Sequence, residues 1–143
     1  MTNDAMTGIG GCRLLVVEDD YLIAADLAFW LEGKGVKVLG PAASVDDALA
    51  LLRTEPLPDA AILDINLGDE RVFPVADVLR AANVPFVFLS GYDSNVIPEP
   101  YRGGRCCPKP VDRPRLLRAL SAALGGTVTF GPNAPTGDGG VTG

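Results

Sequence analysis

Two periods alternate along this chain. Short apolar runs of strand length, at 13–17, 36–39, 60–63, 86–89 and 105–107, are separated by stretches in which apolar residues recur every three or four positions, the spacing of one helix face. After the first run, Ile23, Leu27, Trp30 and Leu31 fall at i, i+4, i+7 and i+8 and predict an amphipathic helix closed by Gly33 and Gly35. The second run ends at Gly40-Pro41. Ser44-Val45-Asp46-Asp47 has the Ser-x-x-Asp form of a capping box and opens a helix through about Arg53, which Pro56 and Pro58 stop. A third helix starts near Phe73-Pro74, with proline tolerated in the first turn, and reaches about Ala82; Pro85 introduces the fourth run. Between 91 and 104, Pro98, Pro100, Gly103 and Gly104 break any helix longer than a turn or two, so no regular helix is expected there. Asp112, Pro114, Leu116, Leu117, Leu120 and Leu124 predict a capped last helix that stops at Gly125-Gly126.

This alternation predicts an α/β domain, a five-stranded doubly wound parallel sheet of order 2-1-3-4-5 with its fourth helix short or missing. The expected domain covers 12–125. Residues 1–11 and 126–143 are rich in Gly, Thr, Asn and Pro and are expected to be disordered, with no effector domain after the last helix, because 127–143 cannot build a core. A chain of 143 residues, 48% hydrophobic and 21% charged, fits one ordinary globule. Its net charge of -6 argues against general nucleic-acid binding, which needs a basic surface. Asp4 and the lack of a long apolar run argue against a signal peptide or membrane anchor, so the expected location is the cytoplasm. Six of the twelve basic residues lie between Arg102 and Arg118, beside the single acid Asp112; this is either a solvated face or a docking surface for an acidic partner. Three cysteines, Cys12, Cys106 and Cys107, and no histidine argue against a disulfide framework or zinc site and exclude a Ser-His-Asp nucleophile.

Candidate chemistry appears where the strands end, since ligands of such sheets bind outside the carboxyl ends of the strands. The first strand ends in Glu18-Asp19-Asp20, the third in Asp64, the fourth in Ser90, and the fifth leads to Lys109. Each residue has an ordinary explanation alone: Asp19 or Asp20 as a helix cap, Asp64 as an Asx turn, Ser90 as a turn hydroxyl, Lys109 as a solvated cation. Together they do not. Two carboxylates about 4 Å apart repel by about 4 kcal/mol at an effective dielectric of about 20. Glu18, Asp19 and Asp64 converging on one edge call for a divalent cation, and oxygen ligands alone suit Mg²⁺. Ser90 and Lys109 are groups that bind phosphoryl oxygens. The expected chemistry is phosphoryl transfer, and without a histidine, serine triad or P-loop the best acceptor is a carboxylate.

These residues resemble the response-regulator receiver domains of two-component signalling. The resemblance lies in "LLVVEDD", "AAILDINLGD" around Asp64, "FVFLSG" with Ser90 and "CPKP" with Lys109, in order at successive strand ends over about 12–125. It implies that Asp64 accepts a phosphoryl group from a histidine kinase or phosphotransfer protein. It implies further that Asp19, Asp64 and the backbone carbonyl of Asn66 bind Mg²⁺ directly, with Glu18 acting through water. Ser90 and Lys109 would each hold a phosphoryl oxygen, the Lys109-Pro110 bond would be cis, and Asp20 is left to start the helix. The domain would catalyse only its own phosphorylation and dephosphorylation and act by protein–protein interaction. More narrowly, Pro85, Phe86, Phe88, Ser90, Gly91 and Tyr92 are similar to the stand-alone FAT GUY receivers, with Ser in place of the more usual Thr; that subgroup implies an HWE-type kinase and stress signalling.

One departure concerns output. Receivers usually carry an aromatic switch residue three positions before the lysine, and here that position is Cys106. Tyr92, two residues after Ser90, is a candidate to supply the ring instead. Two other readings compete: a Toprim-like metal-dependent phosphotransfer enzyme, imitated by Glu18 and Asp64-Ile65-Asn66 but with Asn66 in place of its second acid, and a pseudo-receiver that binds partners unphosphorylated.

Overall fold

Three strands carry the sheet because their residues are apolar on both faces. β1 (Arg13–Val17), β3 (Ala60–Asp64) and β6 (Phe86–Ser90) are buried at nearly every position, as strands covered by helices on both sides must be. The computed structural model describes residues 9–91 and 105–125. In it the main sheet has the order β2-β1-β3-β6-β7, all parallel, with β2 (Lys37–Ala42) and β7 (Arg105–Pro108) at its edges. This is the doubly wound order expected from the sequence.

Alternate strand residues build two cores. Leu15, Val17, Leu63, Phe86 and Phe88 pack against α2 (Val45–Thr54) and α3 (Phe73–Ala81). Leu14, Val16, Ile62, Val87 and Leu89 face the other side, against α1 (Tyr21–Glu32) and α4 (Arg113–Ala123). The predicted caps form: Asp20 Oδ1 accepts from the N–H groups of Leu22 and Ile23, Ser44 Oγ from Asp47, and Asp112 Oδ1 from Arg115, satisfying donors that the first helical turn leaves open.

Three local expectations are corrected. β2 does not end at Gly40-Pro41 but runs through it to Ala42; an edge strand tolerates proline because one side of its ladder is unpaired. Gly40 has φ +96°, and a Cβ there would meet Ala42 N at 2.8 Å and Val16 O at 3.0 Å, where the pairing with β1 shifts register. Glycine is required at this bulge. Second, a small antiparallel hairpin, β4 (Asn66–Leu67) with β5 (Glu70–Arg71), follows β3 in a stretch where no element was predicted. Its two-residue turn uses Gly68 at φ +63°. Third, Ile9 to Gly11, assigned by composition to a disordered arm, are packed: Ile9 is fully buried and Gly11 N–H donates to Gly35 O at 2.9 Å. The other residues of the expected arms, 1–8 and 126–143, and the expected helix break at 92–104 lie outside the described residues.

Burial of Ile9 gives a direct measurement. Ile9→Ala is expected to lower the unfolding free energy by about 2–5 kcal/mol in a urea titration, the range for a large-to-small core substitution. A loss below about 0.5 kcal/mol, the size of a surface effect, would return Ile9 to the arm.

Candidate functional site

Main-chain pairing brings the strand ends level. Val17 lies opposite Leu63, Asp64 opposite Leu89 and Ser90 opposite Pro108. The ladder continues one step past the strands: Glu18 N–H donates to Ala42 O at 2.9 Å, Ile65 N–H to Leu89 O at 3.1 Å and Lys109 N–H to Ser90 O at 2.8 Å. Residues separated widely in sequence are thus fixed on one edge by backbone geometry.

At that edge Glu18, Asp19 and Asp64 each offer a carboxylate oxygen, all within 4.8 Å of one another. Lys109 Nζ lies 3.0 Å from Glu18 Oε1 and 3.2 Å from Asp64 Oδ2. Glu18 and Asp64 are buried at 1% and 4% exposure, whereas Asp19 is exposed. The other oxygen of Glu18 accepts from Asp20 N–H at 3.0 Å. Asp20 itself turns to its helix and does not join the cluster. Ser90 is buried at the end of β6 on the same edge. Asn66 opens the hairpin, its N–H 3.4 Å from Asp64 Oδ1. The Lys109-Pro110 bond is cis.

The electrostatics follow from burial and crowding. Burial, then hydrogen bonding with Glu18 and its charge, push the Asp64 carboxyl up to about 7 from 3.8, against the opposing pull of Lys109. Burial works against the charge of Lys109, but Glu18 and Asp64 outweigh it and hold the ammonium above its usual range.

A divalent cation fits this donor set. Three carboxylates from the ends of two strands are hard oxygen donors, as Mg²⁺ requires. Glu18 Oε1 is buried, with the Lys109 ion pair as its contact but no hydrogen bond in line with it. A buried carboxylate oxygen in that state is costly to desolvate unless a further positive charge faces it.

No protein-family model matches the sequence. Among solved structures, SdrG from Sphingomonas melonis Fr1 superposes with a TM-score of 0.69 at 36% identity, covering 82% of this chain and 97% of that one. The signal receiver domain of a modulated diguanylate cyclase from Desulfovibrio desulfuricans G20 does so with a TM-score of 0.69 at 30% identity, covering 79% and 93%. The chain belongs to the response-regulator receiver domains. Receiver-domain membership sets aside the Toprim-like alternative, which had no role for Ser90 or Lys109. The phyllosphere-induced regulator PhyR of Methylorubrum extorquens is 32% identical over 94 residues, which is 62% of this chain and 35% of that protein. The receiver spans about a third of the length of the curated relatives it matches first. Among the described residues, no helix is long and apolar enough to cross a membrane.

Of the two switch candidates, Cys106 lies on β7, half-buried against the α2/α3 core, where burial raises its thiol; Tyr92 lies outside the described residues. Sequence reasoning missed the hairpin and with it Arg71, whose Nη1 donates to Asn66 Oδ1. The signal was Gly68-Asp69, a glycine-first pair of the kind that closes two-residue hairpins.

The raised Asp64 value has a sign. The folded state binds this proton more tightly than the unfolded chain, so stability from this group is lost as pH rises between 3.8 and about 7. Lys109 stays charged throughout that window. In urea titrations with EDTA, Asp64→Asn is expected to gain on the wild type as pH rises through it, by at most about 1.4 kcal/mol per pH unit. A gap that stays constant with pH would disprove the shift.

Proposed function

We propose that this receiver accepts a phosphoryl group at Asp64 from the phosphohistidine of a histidine kinase or phosphotransfer protein, and relays the signal through protein contacts. The observation that carries this reading is the convergence of Lys109 on Glu18 and Asp64, at 3.0 and 3.2 Å, beside the carboxylate of Asp19. In the step itself an Asp64 oxygen attacks phosphorus and a P–O bond forms. The P–N bond to the donor imidazole breaks, and its electron pair stays on that nitrogen. Lys109 balances the charge of one phosphoryl oxygen and the Ser90 hydroxyl donates to another. Asp64, Asp19 and the Asn66 main-chain carbonyl would hold Mg²⁺, with Glu18 acting through water, and the ion when bound supplies charge neutralisation for the phosphoryl oxygens.

The finer assignment is to the FAT GUY receivers, with an HWE-type kinase as donor, stress signalling as the pathway and the cytoplasm as the location. It is supported by Pro85, Phe86, Phe88, Ser90, Gly91 and Tyr92 and by the likeness to PhyR proteins. Cys106 has no ring to swing inward, which leaves Tyr92 as the candidate switch. The basic run is an alternative contact surface, although Arg113 is already paired with Asp26 at 3.5 Å and stacked over Trp30.

Incubation with acetyl phosphate and Mg²⁺ is expected to add one phosphoryl group that is acid-stable and base-labile. It should be absent from Asp64→Asn and from wild type in EDTA. If neither a small donor nor a cognate kinase phosphorylates the protein, the pseudo-receiver reading takes over.

A further inference from the structure

Asp64 is followed by a hairpin of which the phosphotransfer chemistry described above uses only the Asn66 carbonyl. Its base is rooted in the core: Ile65, Leu67 and Val72 are buried, and Val72 N–H donates to Ile65 O at 3.0 Å. Its tip lies against the site, since a Cβ on Gly68 would come within 3.9 Å of Asp19 Oδ2. Two side chains tie it in place. Glu70 Oε2 accepts from Val45 N–H at 3.4 Å, at the start of α2, where a helix N-terminus favours a carboxylate. Arg71 lies opposite Asn66 in the ladder and its guanidinium donates to the Asn66 side-chain oxygen.

Asn66 is therefore held from two directions. Its own N–H faces Asp64 Oδ1, and its side chain is held by Arg71 across the hairpin. A planar guanidinium with several donors fixes such a partner better than a flexible ammonium does. We propose that Arg71 is a positioning residue of the acceptor site: by holding the Asn66 side chain it fixes the Asn66 main chain beside Asp64 and so sets the affinity for the divalent cation. This rests on the phosphoacceptor reading, in which the Asn66 carbonyl is one of the Mg²⁺ ligands.

Charge alone predicts the opposite sign. An arginine near a cation site repels the cation, so removing it would tighten Mg²⁺ binding. Positioning predicts weaker binding, and losses of about tenfold or more are usual when a residue that orients a metal ligand is removed. The experiment is a calorimetric Mg²⁺ titration of the full chain, with thermal melts in EDTA alongside. Arg71→Met is expected to raise Kd about tenfold with little change in the EDTA melting midpoint. Asn66→Ala keeps the main-chain carbonyl but loses the side-chain oxygen, and is expected to match it. The double variant should be no weaker than either single, because both remove one interaction. Arg71→Lys, which keeps charge but not the fork, should fall between wild type and Arg71→Met. Unchanged or tighter binding in Arg71→Met, or additive losses in the double variant, would overturn the role of Arg71. If wild type takes up no Mg²⁺, or binds it as tightly as Asp64→Asn does, the acceptor-site reading itself fails and the Arg71 proposal goes with it.

Discussion

Three carboxylates within 4.8 Å of one another, two of them buried, are an arrangement that folding by itself disfavours. Much of the molecule can be understood as what holds that crowding in place. The strands behind the site are apolar on both faces, so a one-residue slip of register would move a buried set to the wrong core. The ladder then continues beyond Val17, Asp64 and Ser90 through main-chain bonds, which leaves the acids little freedom to separate. Lys109 arrives from the sheet edge as a partial counterweight and contacts two of the three. The residual imbalance appears in the Asp64 carboxyl, which is driven toward neutrality by burial and by Glu18. A site in this state favours an incoming divalent cation, because the unfavourable terms are already met by folding before the ion binds.

The sheet and its acidic edge were legible in the sequence for the same reason. Buried parallel strands need continuous apolar runs, and such runs are visible without any tertiary information. The chemistry-bearing residues then follow from where the runs stop. The caps at Asp20, Ser44 and Asp112 were legible because capping is decided within about four residues. What escaped depended on contacts distant in sequence or on very short elements. Ile9 is surrounded by Gly and Thr, and its burial comes from packing with the α1/α4 core, including Leu14, Leu27 and Leu31. The passage of β2 through Gly40-Pro41 depends on its place at the sheet edge, which the local Gly-Pro pair does not encode. The hairpin is two residues per strand and contains neither β-branched nor aromatic residues, so propensity had nothing to register.

Replacement of the usual aromatic residue by Cys106 has a packing consequence on the α2/α3 face. Phe88, beside Cys106 in the ladder, is fully buried and makes an edge contact with Phe73 and a tilted one with Phe86. This aromatic group is fixed between the sheet and α3. Offset and edge-to-face ring pairs of this kind add to burial and resist rearrangement. On this face Cys106 packs against the same buried core and has no ring to exchange with solvent.

The adjacent acids of the first strand end show how spacing assigns chemistry to identical functional groups. Glu18 continues the ladder, is buried, and meets Lys109 with one oxygen and the Asp20 amide with the other. Asp19, one residue later, is exposed yet keeps an oxygen within reach of Glu18 and Asp64. Asp20 keeps extended backbone angles as the N-cap of α1 and gives its oxygen to two helical amides. Asp19 and Asp20 are not specialised by their own side chains, since they are chemically the same residue. Their roles are separated by one step of backbone each, at the point where the strand period of two gives way to the helical period. Moving the helix start by a single residue would exchange the cap and the proposed cation ligand without changing composition, charge or hydropathy, which is why the order Glu-Asp-Asp after the apolar run carries more information than the acids themselves.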